Sequence, residues 1–321
     1  MTKDGDTLLS IRDLEIEYQA AGAWIKAVDR VNIEMKAREC VALIGESGSG
    51  KSTIANALLR ILPENSTIRQ GDILFKGSSL LGLTEDEMRR IRGADISMVF
   101  QDPHSFLNPV LKIGDQLSET IKTHSPDLEE AKVLEKARDL LSVVRIPDPA
   151  RILSRYPHQL SGGMAQRVGI ALALSSNPAL VIADEPTSAL DLTIQAQVLK
   201  LLKGLRDRFN LSILLITHDL SLVSNIAERV YVMYSGQIVE EDQVDGLYLA
   251  PRHPYTVMLL EAVKKLQGSD TSYSAQVESR EKPEEARCRF LPRCSQAGPA
   301  CRDKAPEYIS FPGGKKILCC Q

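Results

Sequence analysis

Residues 40–44, Cys-Val-Ala-Leu-Ile, run without a polar break into Gly45-Glu46-Ser47-Gly48-Ser49-Gly50-Lys51-Ser52, and a helical pattern over 52–62 follows and stops against Pro63. Five apolar residues bounded by glycine form the pattern of a strand buried on both faces. A glycine-rich turn between such a strand and a helix points successive backbone N–H groups into one concavity, and the dipole at the start of the helix adds to them. The spacing G-x-x-x-x-G-K-[ST], in this strand–loop–helix setting, is that of a phosphate-binding loop. Gly45, Gly48 and Gly50 let the backbone wrap the phosphates, with Ser47, Ser49 and Thr53 in the same cradle. Lys51 is placed to reach the β- and γ-phosphates, and the Ser52 hydroxyl to ligate Mg²⁺.

The elements around this unit predict an α/β chain. Residues 8–18 and 26–36 alternate loosely, as half-buried antiparallel strands do. Residues 69–75 and 95–100 read as strands, 84–92 as a charged helix, and 110–155 as a helical insertion with Glu and Lys interspersed. A small-residue helix over 164–175, strand 179–183, helix 192–209, strand 212–216 and a hairpin over 229–239, turning at Ser235-Gly236, complete the core. Strands alternating with helices imply a mostly parallel sheet covered on both faces. No apolar run approaches the roughly 18 residues that span a bilayer. The net charge of −3 gives no global basic field for nucleic acid. Residues 1–6 lack the apolar core of a secretion signal, so the chain is expected in the cytosol, where its six cysteines act as thiols or metal ligands.

Three further groups carry chemistry. Ser161-Gly162-Gly163, opening the helix at Met164, is a second phosphate grip built from N–H groups and a helix dipole. Two grips in one chain imply a site completed by another copy or a paralogue. The apolar run 180–183 ends in Asp184-Glu185; Asp184 would hold Mg²⁺ through water, and Glu185 would act as general base on the water attacking the γ-phosphate. Gln101 and His218 also follow strands, at the carboxyl ends where open α/β folds gather ligands. Gln101 can touch Mg²⁺ or the attacking water, and His218 can bond the γ-phosphate.

In this order, Lys51, Gln101, Ser161-Gly162-Gly163, Asp184-Glu185, Ser188-Ala189-Leu190-Asp191 and His218 resemble the ATPase subunits of ABC transporters over residues 8–260. The resemblance implies a P-loop NTPase with a mixed, mainly parallel sheet, an antiparallel β subdomain, a helical insertion and a small Cys-rich C-terminal extension. It implies an ATPase domain over 1–265, with a helical subdomain at about 102–175. It also implies a head-to-tail dimer, in which Ser161, Gly162 and Gly163 of one subunit close over the ATP held by the other. Tyr18, with Trp24 as a substitute, would stack on adenine, and Asp191 would link the two sites.

Gln101-Asp102-Pro103, Leu107-Asn108-Pro109, Tyr156-Pro157-His158-Gln159-Leu160 and Arg252-His253-Pro254-Tyr255-Thr256 resemble the oligopeptide and dipeptide importers within that family. The implied partners are a second ATPase subunit (self or paralogue), two transmembrane permeases and, through the complex, an extracytoplasmic substrate-binding protein. The implied location is the cytoplasmic face of the membrane. Relatives of this branch carry nickel chelates or oligosaccharides. A soluble repair ATPase would need sustained heptads between Lys51 and Ser161, which are absent, and a translation ATPase would need two cassettes.

The last 34 residues hold five of the six cysteines and read as a separate unit behind a polar linker at 266–287. Cys288, Cys294, Cys301 and Cys319 are separated by five, six and seventeen residues, with Cys320 adjacent. The short knuckles of zinc sites are missing, and prolines between the cysteines suit loops around a larger iron–sulfur cluster. Zinc and free thiols are the alternatives. The stretch Cys288-Arg289-Phe290-Leu291-Pro292-Arg293-Cys294 resembles the opening of the C-terminal extension in peptide-importer ATPases, some of which hold a [4Fe-4S] cluster there. Cys40, in an apolar strand, reads as a core residue.

Overall fold

The computed structural model describes residues 7–188, 190–266 and 287–320. Along the chain come β1 (Thr7–Ala20), β2 (Ala23–Lys36), β3 (Cys40–Ile44), α1 (Lys51–Leu58), β4 (Ser66–Phe75), β5 (Ser78–Ser79), α2 (Glu85–Ile91) and β6 (Ile96–Val99). Five helices follow, α3 (Pro103–Phe106), α4 (Ile113–His124), α5 (Glu130–Val143), α6 (Pro149–Leu153) and α7 (Gly162–Leu174). After them come β7 (Leu180–Asp184), α8 (Leu192–Phe209), β8 (Ser212–Thr217), α9 (Leu220–Val223), β9 (Arg229–Tyr234), β10 (Gln237–Gln243), α10 (Val244–Leu249) and α11 (Pro254–Leu266). The tail adds α12 (Ala300–Asp303), β11 (Glu307–Ser310) and β12 (Lys316–Cys319).

The chain forms two compact units, one made of residues 1–35, 41–81 and 217–321 and the other of 36–40 and 82–216. In the first, β2, β1, β4 and β5 form an antiparallel sheet in that order. β1 bulges between Arg12 and Glu15, where Asp13 takes φ +44. A side chain at Gly71 on the facing strand would meet the Arg12 carbonyl at 2.5 Å, so the bulge closes only over glycine. All five residues of β3 are buried, as its unbroken apolar run requires, and it pairs in parallel with β9. The β9–β10 hairpin turns at Ser235-Gly236, both with positive φ, the torsion a tight hairpin needs. Helix α1 closes before Pro63. Arg60 enters the left-handed region (φ +51), and the amides of Arg60 and Ile61 reach back to Ala57 and Asn56, a Schellman stop.

The tail differs from the sequence expectation of a separate unit. β12 pairs antiparallel with β10 and with β11, and Phe290 is buried in the core of α9, β9 and α11. Edge strand β10 gains a partner there, and burying Phe290, Ile317 and Leu318 outweighs detachment. The linker expected at 266–287 lies almost wholly outside the described residues.

In the second unit, β8, β7 and β6 run parallel. Ile170, Ala173 and Leu174 of α7 and Leu202 and Leu205 of α8 pack with Val181 and Ile213. Val198, Leu201, Leu202 and Leu205 recur at helical spacing and are buried, giving α8 its apolar stripe. The helical insertion expected at about 102–175 is occupied by α3 to α7. Among the described residues, no helix is long and apolar enough to cross a membrane.

Candidate functional site: a phosphate loop, a carboxylate pair and a helix cap

Backbone close approach shapes the loop after β3. A Cβ on Gly45 would lie 2.1 Å from the Met233 carbonyl oxygen, and one on Gly50 (φ +108) 2.5 Å from that of Ala27, so neither position accepts a side chain. The Lys51 side chain is buried and folds back over the loop. Its ammonium donates to the carbonyls of Gly45 at 2.9 Å and Glu46 at 2.8 Å, and to the Ser49 hydroxyl at 3.4 Å. These bonds hold the buried ammonium within the loop that the sequence assigns to phosphate. Ser47, Gly48, Ser52 and Thr53 complete this segment, and Ser52 stands exposed in the first turn of α1. The Tyr18 hydroxyl donates to Thr53 Oγ1 at 3.3 Å, which places Tyr18 beside the cradle, whereas Trp24 is exposed with the Arg69 guanidinium 4.7 Å above its ring. His218, exposed, follows β8 and precedes Asp219, the N-cap of α9.

The carboxylate pair ends β7. Asp184 is buried, and Glu185 takes a left-handed backbone (φ +45) while its amide donates to Ile216 at 2.8 Å. A non-glycine residue held there is strained, a frequent mark of function. Gln101, at the end of the neighbouring strand β6, donates through Nε2 to Glu185 Oε2 at 2.9 Å. The structure thus brings together two residues that are 84 apart in sequence. A carboxylate oriented by an amide is equipped to accept a proton from water.

The third group surrounds the start of α7. Ser161 caps this helix, its hydroxyl accepting from the Met164 amide at 3.4 Å, and no acidic residue lies in the first turn. Asp191 caps α8 by accepting from Ile194 at 3.0 Å. The two caps are neighbours. A Cβ on Gly163 would sit 2.9 Å from Ile194 Cγ2, and one on Gly162 3.4 Å from Leu190 Cδ2. Gln195, unmarked in the sequence reading, ties this region to the carboxylate loop through Nε2, which donates to the carbonyls of Thr187 and Leu190, both at 3.1 Å.

Two other residues escaped the sequence reading. Arg293 binds the Glu46 carboxylate with both terminal nitrogens, at 2.9 and 2.8 Å, and Arg289 donates to Asp29 Oδ2 at 2.7 Å. Their only sequence signal is adjacency to Cys294 and Cys288. Burial and the neighbouring thiols Cys301 and Cys319 push the Cys288 thiol up, and Cys294 is raised by burial and by Cys288, Cys301 and Cys319. Cys320 is pushed up to about 12, first by burial and then by Cys288, Cys301 and Cys319. All these cysteines are unbridged. Among the described residues, no group of three or more His, Cys, Asp or Glu side chains is set to hold a metal ion.

Residues 28–188 match the ABC transporter family, and residues 239–301 match the C-terminal region of oligopeptide/dipeptide transporters. The oligopeptide transport ATP-binding protein AppD of Bacillus subtilis is 43% identical over 98% of this chain and 96% of its own length. OppD of the same organism, also an oligopeptide transport ATP-binding protein, is 46% identical over 82% of this chain and 73% of its own. Among solved structures, an ATP-binding cassette captured as a dimer after hydrolysis, with ADP and phosphate bound, aligns with a TM-score of 0.66 and 28% identity. It covers 74% of this chain and 99% of its own. The local geometry of loop, carboxylate pair and helix cap and these likenesses agree: the chain belongs to the ABC transporter family, as an ATP-binding and ATP-hydrolysing subunit.

Proposed function

We propose that this chain powers peptide import, and that hydrolysis runs through Glu185. The observation that supports this most is the joining, in one chain, of an ABC ATPase region with a C-terminal region similar to that of oligopeptide/dipeptide transporters. Relatives named for oligopeptide transport along nearly the whole chain point the same way. Lys51 and the amides of residues 45–53 would hold the phosphates of ATP, with Tyr18 against the adenine. Ser52, Gln101 and Asp184 would hold Mg²⁺, which when bound neutralises phosphate charge. Gln101 orients Glu185, which takes the proton from the attacking water; the water oxygen bonds the γ-phosphorus as the bond to the ADP oxygen breaks. His218 would bond the γ-phosphate. Ser161, Gly162 and Gly163 would offer their N–H groups to the ATP of a partner subunit, and Asp191 holds the segment beside them. A second ATPase subunit, two permeases at the cytoplasmic membrane face and an extracytoplasmic binding protein complete the assembly.

The tail belongs to the same proposal. Cys288, Cys294, Cys301 and Cys319 would hold a [4Fe-4S] cluster. The electrostatic coupling of Cys294 to Cys288, Cys301 and Cys319 supports it.

Glu185→Gln is the test of the catalytic assignment. This variant keeps ATP binding, loses turnover by at least ~100-fold, the lower end of what a general base contributes, and accumulates ATP-bound dimers on gel filtration. An ATPase rate equal to that of the unmodified protein refutes the role of Glu185. In the reconstituted complex, ATPase stimulated by peptide, and not by a nickel chelate or an oligosaccharide, fixes the cargo.

A further inference from the structure

The turn between Cys288 and Cys294 lies against the phosphate loop and grips it from outside. A 3₁₀ turn over Leu291–Arg293 fixes the segment, with amides of Leu291 and Cys294 donating to Cys288 and Leu291 at 3.0 and 3.2 Å. Phe290 anchors it, 3% exposed, with ring centroids 5.2 Å from Tyr234 and 5.5 Å from Tyr255. From this anchor two arginines reach the loop by separate routes. Arg293 binds the Glu46 carboxylate with both nitrogens, and the Glu46 carbonyl is one of the groups holding the Lys51 ammonium. The Glu46 amide donates to the Tyr255 hydroxyl at 3.0 Å, so the residue is held at both main chain and side chain. Arg289 bonds the Ser235 carbonyl and Asp29, and the adjoining Gly236 amide donates to the Ser49 carbonyl at 2.9 Å.

We propose that Arg293 is a positioning residue for the ATP site: through its fork on Glu46, the cysteine-rich tail holds the phosphate loop in its nucleotide-accepting shape. The proposal rests on residues 45–53 being the ATP cradle. A bidentate guanidinium–carboxylate pair fixes orientation as well as distance, which one ammonium does not. Lys51 takes its direction from the carbonyls of Gly45 and Glu46, so a rotation of the Glu46 peptide moves the ammonium with it. The order of the tail is thereby read out at the nucleotide, and nothing in the loop motif itself encodes this.

Equilibrium titration of the full-length chain with a fluorescent ATP analogue and Mg²⁺ tests this, beside thermal melts of each variant. Arg293→Met and Glu46→Gln each raise Kd about five-fold, the scale of losing one charged, partly exposed fork. The double variant raises Kd no further than either single one, because both remove the same interaction. Arg293→Lys falls between, keeping charge without the fork. If Arg293→Met does not fold, Glu46→Gln and Arg293→Lys carry the comparison. Unchanged Kd in the single variants, or effects that add in the double one, overturn the clamp. Lys51→Ala separates the two readings: if that variant binds ATP as tightly as the unmodified chain, the cradle assignment fails instead.

Discussion

His253 is 2% exposed and accepts at Nδ1 from the Tyr255 amide at 3.2 Å, so it caps α11 with a neutral imidazole. Burial pushes its pKa down to about 4, against a weaker opposing bond with the Leu318 backbone. Phe290 packs on the ring, and Glu240, with Lys315 beside it, binds the His253 amide. An unfolded chain protonates this residue at its ordinary value near 6.5, and the folded chain does so only near 4. Stability is therefore full above about pH 6.5 and falls as pH drops toward 4, with a loss of about 2 kcal/mol by pH 5. Asn keeps an acceptor for the cap and cannot titrate. His253→Asn accordingly flattens the decline in melting temperature between pH 7 and pH 5; equal slopes in both proteins would show that another group governs it. The sequence marked this residue only as part of Arg252-His253-Pro254-Tyr255-Thr256, because burial, which sets its proton affinity, is not a local property. Glu185 and Gln101 were each legible as ends of strands, whereas the hydrogen bond between them was not.

The elements most visible in the sequence are those whose cause is local. Strand β3 shows as an unbroken apolar run, α2 carries its Thr84–Glu87 capping box, and the Ser235-Gly236 turn lies between β9 and β10. Less visible were the Schellman stop of α1 and the bulge of β1, since arginine at φ +51 and glycine facing a bulge leave no periodic trace. The start of α7 matters most for the proposed function. Its first turn lies so near α8 that a methyl on Gly163 would press Ile194 at 2.9 Å, whereas one on Gly162 would find ordinary contact at 3.4 Å. Alanine suits a helix better than glycine by ~1 kcal/mol, so Gly163→Ala costs little stability. Its effect falls on the aim of the helix N-terminus. Gly163→Ala is expected to lower kcat about ten-fold, or roughly 1.4 kcal/mol of barrier, with ATP affinity unchanged, and Gly162→Ala to lower it less. Steady-state ATPase and nucleotide titration distinguish these outcomes, and equal activity in both variants would remove the steric account.

At the scale of the molecule, the tail is the part the sequence misplaced. Lys315 is 8% exposed and its ammonium meets Asp242 at 2.8 Å, Glu240 at 3.4 Å and the Ala250 carbonyl at 2.6 Å, next to the β10–β12 pairing. Glu240 is fully buried and also accepts from the amides of Arg252 and His253, so the tail's ammonium meets a carboxylate already anchored in the core. The cluster proposed for this tail has a direct test. Protein purified without oxygen is expected to be brown, with a broad absorbance in the visible blue that Cys294→Ser removes. Colourless protein with stoichiometric zinc would refute the cluster.

What the sequence determined by itself is the chemistry carried within one loop or one turn. It named the glycines and Lys51 of the phosphate loop, the carboxylates after β7, the cap at Ser161 and the strand–helix order that makes an α/β chain. These follow from short-range rules of backbone torsion, capping and burial. Only the tertiary structure decided that Glu46 meets Arg293 across 247 residues, that Gly163 faces Ile194, and that the cysteine tail joins a sheet. Such pairings depend on which surfaces close over one another, a choice made by the sum of many remote contacts that no local pattern records.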